Sequence, residues 1–336
     1  MIIPFFIPHS GCPHQCVFCN QRNITGQTGP VDQSAIPRTI SEYIKSATKH
    51  GLVQIAFYGG SFTALSGELQ KAYLEAVRPF ILTGQIDSIR LSTRPDCITH
   101  ESLALLTAYH VKTVELGAQS MDDMVLSLAG RGHTAADTRN GVRLLKDAGF
   151  FVGLQLMPGL PGDRPDCFMD TVEKVIDLKP DFVRIYPALV IKNTPLEQLY
   201  QSGQYRPLTL DHATALCHKA LLRFEQAGID VIRIGLQPTE ELDRPGTVLA
   251  GPYHPAFRQL VESSILLDKM RSALKDRKGG AGTVVFQVNP KDLSAAIGQR
   301  RSNIACLKKE FRLKNIRMKE GENSLRRREP ILLSVF

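Results

Sequence analysis

Three cysteines, Cys12, Cys16 and Cys19, fall within one short stretch, G-C-P-H-Q-C-V-F-C from Gly11. Thiolates this close together bind metals. Cysteine thiolate is the ligand that holds iron–sulfur clusters, and a cube of four irons held by three cysteines keeps one iron open to an outside ligand. A structural zinc site needs a fourth nearby Cys or His to close its tetrahedron. His9 and His14 are available, but they crowd the same loop, whereas zinc ligands usually come as separated pairs. A disulfide is the weaker reading, because three is odd and the start of the chain lacks the basic region of a secretory signal.

A cluster loop needs a scaffold, and the chain supplies apolar runs that alternate with helical stretches. Strands are expected at Ile2–Pro8, Val53–Tyr58, Ser88–Thr93, Thr113–Gly117, Phe151–Met157 and Phe182–Tyr186. Helices are expected at Ser34–His50, Glu101–Tyr109, Asp137–Ala148 and Asp166–Leu178. Strands alternating with helices argue for a parallel sheet, and six of them suffice for a partial (β/α) barrel. In such folds chemistry collects at the C-terminal ends of the strands. Polar residues do stand there: Gly59-Gly60-Ser61, Thr93-Arg94-Pro95-Asp96, Gly117-Ala118-Gln119-Ser120, and Gln155 through Gly159. Each alone is ordinary turn chemistry or a satisfied strand end; their coincidence at one barrel mouth with the cysteine loop is the signal.

The spacing C-x-x-x-C-x-x-C, with Phe18 just before the last cysteine, resembles the signature of the radical S-adenosylmethionine (radical SAM) enzymes. The resemblance implies a 4Fe-4S cluster on Cys12, Cys16 and Cys19, with S-adenosylmethionine on the open iron and its reductive cleavage to a 5′-deoxyadenosyl radical. It also implies an electron donor such as flavodoxin or ferredoxin. More narrowly, Y-G-G-S-F-T, S-T-R-P-D-C, V-E-L-G-A-Q-S-M-D-D-M-V-L, G-R-G-H-T, A-G-F-F-V-G-L-Q-L-M-P-G-L-P-G and Y-P-A-L-V-I-K-N-T-P-L, taken in order, are similar to the radical SAM domain of the Elongator catalytic subunit. The pattern is more distantly similar to oxygen-independent coproporphyrinogen oxidase.

Carried over residue by residue, the resemblance implies that Gly59 and Gly60 approach the methionine end of the cofactor through backbone. It puts Gln119, Arg131 and Gln155 along its ribose, carboxylate and adenine, with Phe18, Ser61 and Ser92 as further cofactor positions. A missing Cβ permits close backbone approach, and the arginine fork suits a carboxylate. Ser92 stands where relatives carry a glutamate. Nothing after Leu210 resembles the acetyltransferase domain that completes the Elongator subunit, so acetyl-CoA-dependent chemistry is not implied.

Of 336 residues, 43% are apolar and 22% charged, ordinary for a globular protein, and no apolar run is long enough to span a membrane. Cys97, Cys167, Cys217 and Cys306 are scattered singly, which fits reduced thiols and a cytoplasmic location. The net charge of +8 is uneven: 17 of the 41 Lys and Arg but 6 of the 33 Asp and Glu follow from Lys269 onward. A charge run is usually a solvated face, yet this one also fits a polyanion such as RNA.

The expected organisation is a barrel over 1–207, a helical extension over 208–274 containing a short strand Val231–Ile234, a linker over 275–282, a small α+β module over 283–320 and a basic tail over 321–336 that carries Arg326, Arg327 and Arg328. Within the module, a strand Thr283–Val288, a helix Pro290–Ile297, a tight loop, a basic helix Asn303–Phe311 and a strand Lys314–Met318 resemble a KH-type RNA-binding unit, whose G-x-x-G loop clamps nucleic-acid backbone. Gly298-Gln299-Arg300-Arg301 has arginine where the second glycine belongs; Gly298, Arg300, Arg301, Lys308 and Lys309 are the expected RNA-contacting residues. The function expected is radical SAM chemistry on RNA such as tRNA. The alternatives are a small-molecule or tetrapyrrole substrate, and a non-catalytic RNA-binding iron–sulfur protein.

Overall fold

Short apolar runs closed by turn residues make the strands of the first unit. They are β1 (Ile2–Phe6), β2 (Gln54–Tyr58), β3 (Ser88–Thr93), β4 (Val111–Gln119), β5 (Phe151–Leu156), β6 (Phe182–Ile185), β7 (Val190–Ile191), β8 (Asp230–Ile234) and β9 (Val248–Ala250). The computed structural model describes residues 1–7, 12–20, 31–46, 51–275, 282–322 and 327–335. His9, Gly11, the ends of the expected first strand and first helix at Pro8 and 47–50, most of the expected linker (276–281), and Arg326 lie outside the described residues.

Seven strands form one parallel sheet in the order β1-β2-β3-β4-β5-β6-β8, the curled partial barrel expected from the alternation. The expectation of six strands is thereby corrected. β8 pairs with β6, Val183 opposite Val231, so the short strand read into the helical extension belongs to the barrel. Between β6 and β8 in the chain lie β7 and two helices, and nothing in the residues of β8 itself records that pairing. The chain accordingly divides as Met1–Thr209 with Arg223–Tyr253, and Leu210–Leu222 with His254–Phe336.

Side chains alternate across a strand, and here the alternation separates core from cavity. Ile89 and Leu91, Val114 and Leu116, Leu154 and Leu156, and Val183 and Ile185 are all buried hydrophobic residues. Their neighbours Arg90, Ser92, Glu115, Gly117, Gln155 and Arg184 line the interior cavity. The helix Gly67–Leu82 was not among the expected elements, although Gln70, Tyr73, Leu74 and Val77 are buried at helical spacing and the Ser66 side chain caps it by accepting from Leu69 N. Asp123–Leu128 and Pro195–Gln201 are further short helices of this unit.

In the second unit, β10 (Thr283–Val288), helices Leu293–Ile297 and Ser302–Glu310, and β11 (Asn315–Glu320) follow the expected order. β10 runs parallel to β11. The expected basic tail is corrected: Ile331–Val335 is a strand, β12, antiparallel to β10. Arg327 ion-pairs with Asp292, and the backbone N–H of Arg328 donates to the same carboxylate at 2.5 Å. Asp292 is buried and needs those partners, which is why the arginines are held. Val284, Phe286, Leu307 and Ile316 share the core of this unit with Leu266 and Met270 of the helix Phe257–Lys275.

Candidate active site

The three cysteines enter the site on a loop that other segments hold in place. Val17 N–H donates to Ala129 O at 3.0 Å, Leu196 N–H donates to Val17 O at 2.8 Å, and Cys19 N–H donates to Cys16 O at 3.1 Å. The Asn20 amide donates to the carbonyls of Lys192 and Asn193. Glycine is required opposite this loop. At Gly132, where φ is +67°, a Cβ would fall 2.4 Å from the His14 ring, and at Gly130 one would stand 3.2 Å from Gln15 O. The run G-R-G-H-T is therefore a wall of the cysteine loop.

Cys12, Cys16 and Cys19 line one cavity of about 840 Å³, and Phe18, Gly59, Gly60, Ser61, Ser92, Gln119, Arg131 and Gln155 line the same cavity. Every residue carried over for cluster or cofactor is thus brought together. Cys12 Sγ lies 3.4 Å from Ser61 Oγ, and the Arg131 guanidinium donates to Cys16 Sγ at 3.1 Å. Among the described residues no three His, Cys, Asp or Glu side chains are set to hold one metal ion. Arg131 lines this cavity, and its Nε is a buried donor without a partner among the described residues, which a bound ligand could satisfy.

A bulge at the end of β4 shapes the opposite wall. The β4–β5 register shifts between Leu116 and Gln119, and Gln119 takes φ +69°. Bulges re-aim side chains beside active sites; here Gln119 accepts a long 3.5 Å bond from the Gln155 amide. Gly117 is part of the device, since a Cβ there would stand 2.9 Å from Gln119 Nε2 and 3.2 Å from Arg131 Nη2. Arg94 grips Asp96 through two bonds of 3.0 and 3.1 Å and also donates to the Arg131 carbonyl. The S-T-R-P-D-C segment thereby fixes the loop that carries Arg131. His133, on the same loop, is buried; burial first, then the Arg131 and Arg94 charges, push it down to about 4, so it stays neutral.

Residue-by-residue reading missed the charged interior beneath these strand ends. Glu115 ion-pairs with Arg90 at 2.8 Å and Arg184 at 2.6 Å, all three buried or nearly so. Tyr58 bonds Glu115 and Arg184, each at 3.3 Å, and burial and then Glu115 push its hydroxyl up to about 12. The only sequence signal was their position on strands at cavity-facing parity.

The Radical SAM superfamily model matches residues 6–175, and the Radical_SAM C-terminal domain model matches 180–266. The chain belongs to the radical SAM superfamily. It is a radical SAM enzyme, and the family uses a 4Fe-4S cluster and S-adenosylmethionine. A tRNA uridine(34) acetyltransferase of Methanocaldococcus jannaschii is 28% identical over 243 residues, 60% of this chain and 45% of that relative. Elongator complex protein 3 of Danio rerio is 34% identical over 152 residues, 43% of this chain and 27% of its own length. The match thus spans less than half of each of these two relatives.

In fold, the chain is similar to the archaeal Methanocaldococcus infernus Elp3, with a TM-score of 0.61 at 22% identity over 82% of this chain and 64% of that one. It is also similar to the radical SAM enzyme coproporphyrinogen III oxidase of Escherichia coli, with a TM-score of 0.50 at 18% identity over 68% of this chain and 53% of that one. Among the described residues no helix is long and apolar enough to cross a membrane.

In the second unit, Arg300 and Arg301 are exposed at the turn between the helices, both with positive φ, at 50° and 61°. Among the described residues neither they nor Lys308 and Lys309 make an ion pair. Gly298 is buried at φ +78°, where a Cβ would strike Ser302 Oγ at 2.4 Å, so its freedom serves the turn itself.

Proposed function

We propose that this enzyme holds a 4Fe-4S cluster through Cys12, Cys16 and Cys19, cleaves S-adenosylmethionine reductively, and acts on RNA, with tRNA as the substrate. One observation carries the cofactor half: the three cysteines and the strand-end residues share one cavity of about 840 Å³. Bound there, the cluster and cofactor would supply 5′-deoxyadenosyl radical chemistry. Gly59 and Gly60 admit the methionine end against backbone, with Ser61 and Ser92 beside it. Arg131, whose Nε is unpartnered among the described residues while its two terminal nitrogens bond Cys16 Sγ and the Gly117 carbonyl, would offer that Nε to the cofactor carboxylate. Gln119 and Gln155, already bonded to each other, present amides to ribose and adenine, and Phe18 packs beside Cys19.

The RNA half is supported by similarity to tRNA-modifying relatives and by basic residues of the second unit, of which Arg300, Arg301 and Lys309 are exposed and Lys308 is half-buried. Arg300, Arg301, Lys308 and Lys309 are a ready contact for phosphates. An electron donor of the flavodoxin or ferredoxin type supplies the reducing equivalent. Anaerobic incubation of cluster-loaded protein with dithionite and S-adenosylmethionine is expected to yield 5′-deoxyadenosine. Mass spectrometry of nucleosides from cells with and without the gene is expected to reveal one altered tRNA nucleoside. Cofactor that binds and is never cleaved, or identical nucleoside profiles, would overturn the respective half.

A further inference from the structure

The cofactor residues sit at the strand ends; the charges further along the strands are left unassigned. Arg90, Glu115, Arg184 and Arg233 all line the cavity, from β3, β4, β6 and β8. Glu115 is shared by Arg90 and Arg184, so this buried group carries one positive charge more than it balances. Arg233 adds another. The β6–β8 register sets Arg184 directly opposite Arg233, which places neighbouring backbones about 5 Å apart.

Arg233 donates to the neutral amide of Gln237 at 3.0 Å, and among the described residues it has no carboxylate partner. Tyr58 and Tyr186 bring hydroxyls to Arg184 at 3.3 and 3.2 Å. Two largely buried guanidinium groups thus share one carboxylate, in a wall where uncompensated charge costs several kcal/mol per ion, and half-buried Arg233 adds a third guanidinium at its edge. An anion restores the balance, and guanidinium forks bind oxyanions through paired N–H bonds. Arg131 is engaged elsewhere, on Cys16 Sγ and the Gly117 carbonyl.

We propose that Arg184 and Arg233, with Arg90 and Glu115 behind them, form an oxyanion subsite that holds one phosphate or carboxylate group of the substrate inside the barrel. The proposal rests on the radical SAM reading of the cavity and deepens it: the substrate is anchored by a charge near the atom that reacts. A phosphodiester of a nucleic acid and a carboxylate of a small molecule offer the same chemistry to this pair.

The test is calorimetric titration of full-length, cluster-loaded protein saturated with S-adenosylmethionine, so that Arg131 is already occupied. The probes are dimethyl phosphate, inorganic phosphate and acetate. Wild type is expected to bind at least one of them. Arg233→Gln is expected to weaken that binding tenfold or more, and Arg233→Lys to fall between. Preference for dimethyl phosphate identifies a nucleic-acid source, and preference for acetate a small-molecule source. Equal binding by wild type and Arg233→Gln, or none by wild type, overturns the subsite. Should Arg233→Gln fail to fold, phenylglyoxal labelling of wild type decides: the bound anion is expected to protect Arg184 and Arg233, and labelling unaffected by anion overturns the proposal. None of these readouts needs RNA or cofactor cleavage, so the subsite and the proposed function fail separately.

Discussion

Arginine does opposite work in the two units. In the barrel, Arg90 and Arg184 are drawn in around Glu115, with side chains 9% and 15% exposed, where charge must be balanced residue by residue. In the second unit, Arg300 and Arg301 stand in water at a turn, free of ion pairs among the described residues. Buried charge gains strength from the low dielectric and loses heavily if a partner is removed. Exposed charge costs little and acts at a distance, screened by salt. The first arrangement specifies one geometry; the second tolerates any polyanion.

The largest expected effect lies on the barrel side. Cys12→Ala, Cys16→Ala and Cys19→Ala together are expected to abolish iron and sulfide binding and all cofactor cleavage, checked by metal analysis and chromatography. RNA binding through the second unit is expected to survive. A triple variant that retained its iron would break the assignment. Next, Glu115→Gln leaves buried guanidinium groups uncompensated and is expected to destabilise the protein by about 3 to 5 kcal/mol. By contrast, removing the exposed Arg223–Glu173 pair, 44% and 48% exposed, is expected to cost no more than about 1 kcal/mol in the same denaturant melt.

Gly117→Ala sharpens the cavity side without touching a charge. Its Cβ would press on Gln119 and Arg131, and cofactor affinity is expected to fall roughly tenfold, about 1.4 kcal/mol, in equilibrium binding. On the exposed side, Arg300→Ala with Arg301→Ala is expected to leave the melting temperature nearly unchanged, within about 0.5 kcal/mol. The salt slope of RNA binding is expected to flatten by about one to two contacts. An unchanged slope would remove this turn from the RNA surface.

The smallest effect is one of pH. Burial raises Asp163 to about 6, against weaker lowering by the N–H groups of Gly159 and Arg164. A carboxyl raised on folding contributes stability that is full below 3.8 and lost as pH climbs through about 6. Asp163→Asn is therefore expected to be relatively more stable at pH 7 than at pH 4 when each is compared with wild type. A parallel pair of pH profiles would argue against the buried carboxyl.

Much of this was legible before any coordinates. The cysteine spacing, the alternation of strands and helices, and the polar strand ends depend on residues close in sequence, and local chemistry writes them there. The helix–turn–helix of the second unit was legible for the same reason, since Gly298 and the flanking apolar residues specify it locally. Tertiary structure alone decided the rest. It joined β8 to β6 and so brought Arg233 beside Arg184, it made Ile331–Val335 a strand against β10, and it gathered Arg90, Glu115 and Arg184 from three strands into one ion-paired group. Each depends on register and charge balance between segments far apart in the chain, where no local periodicity records which partner will be met.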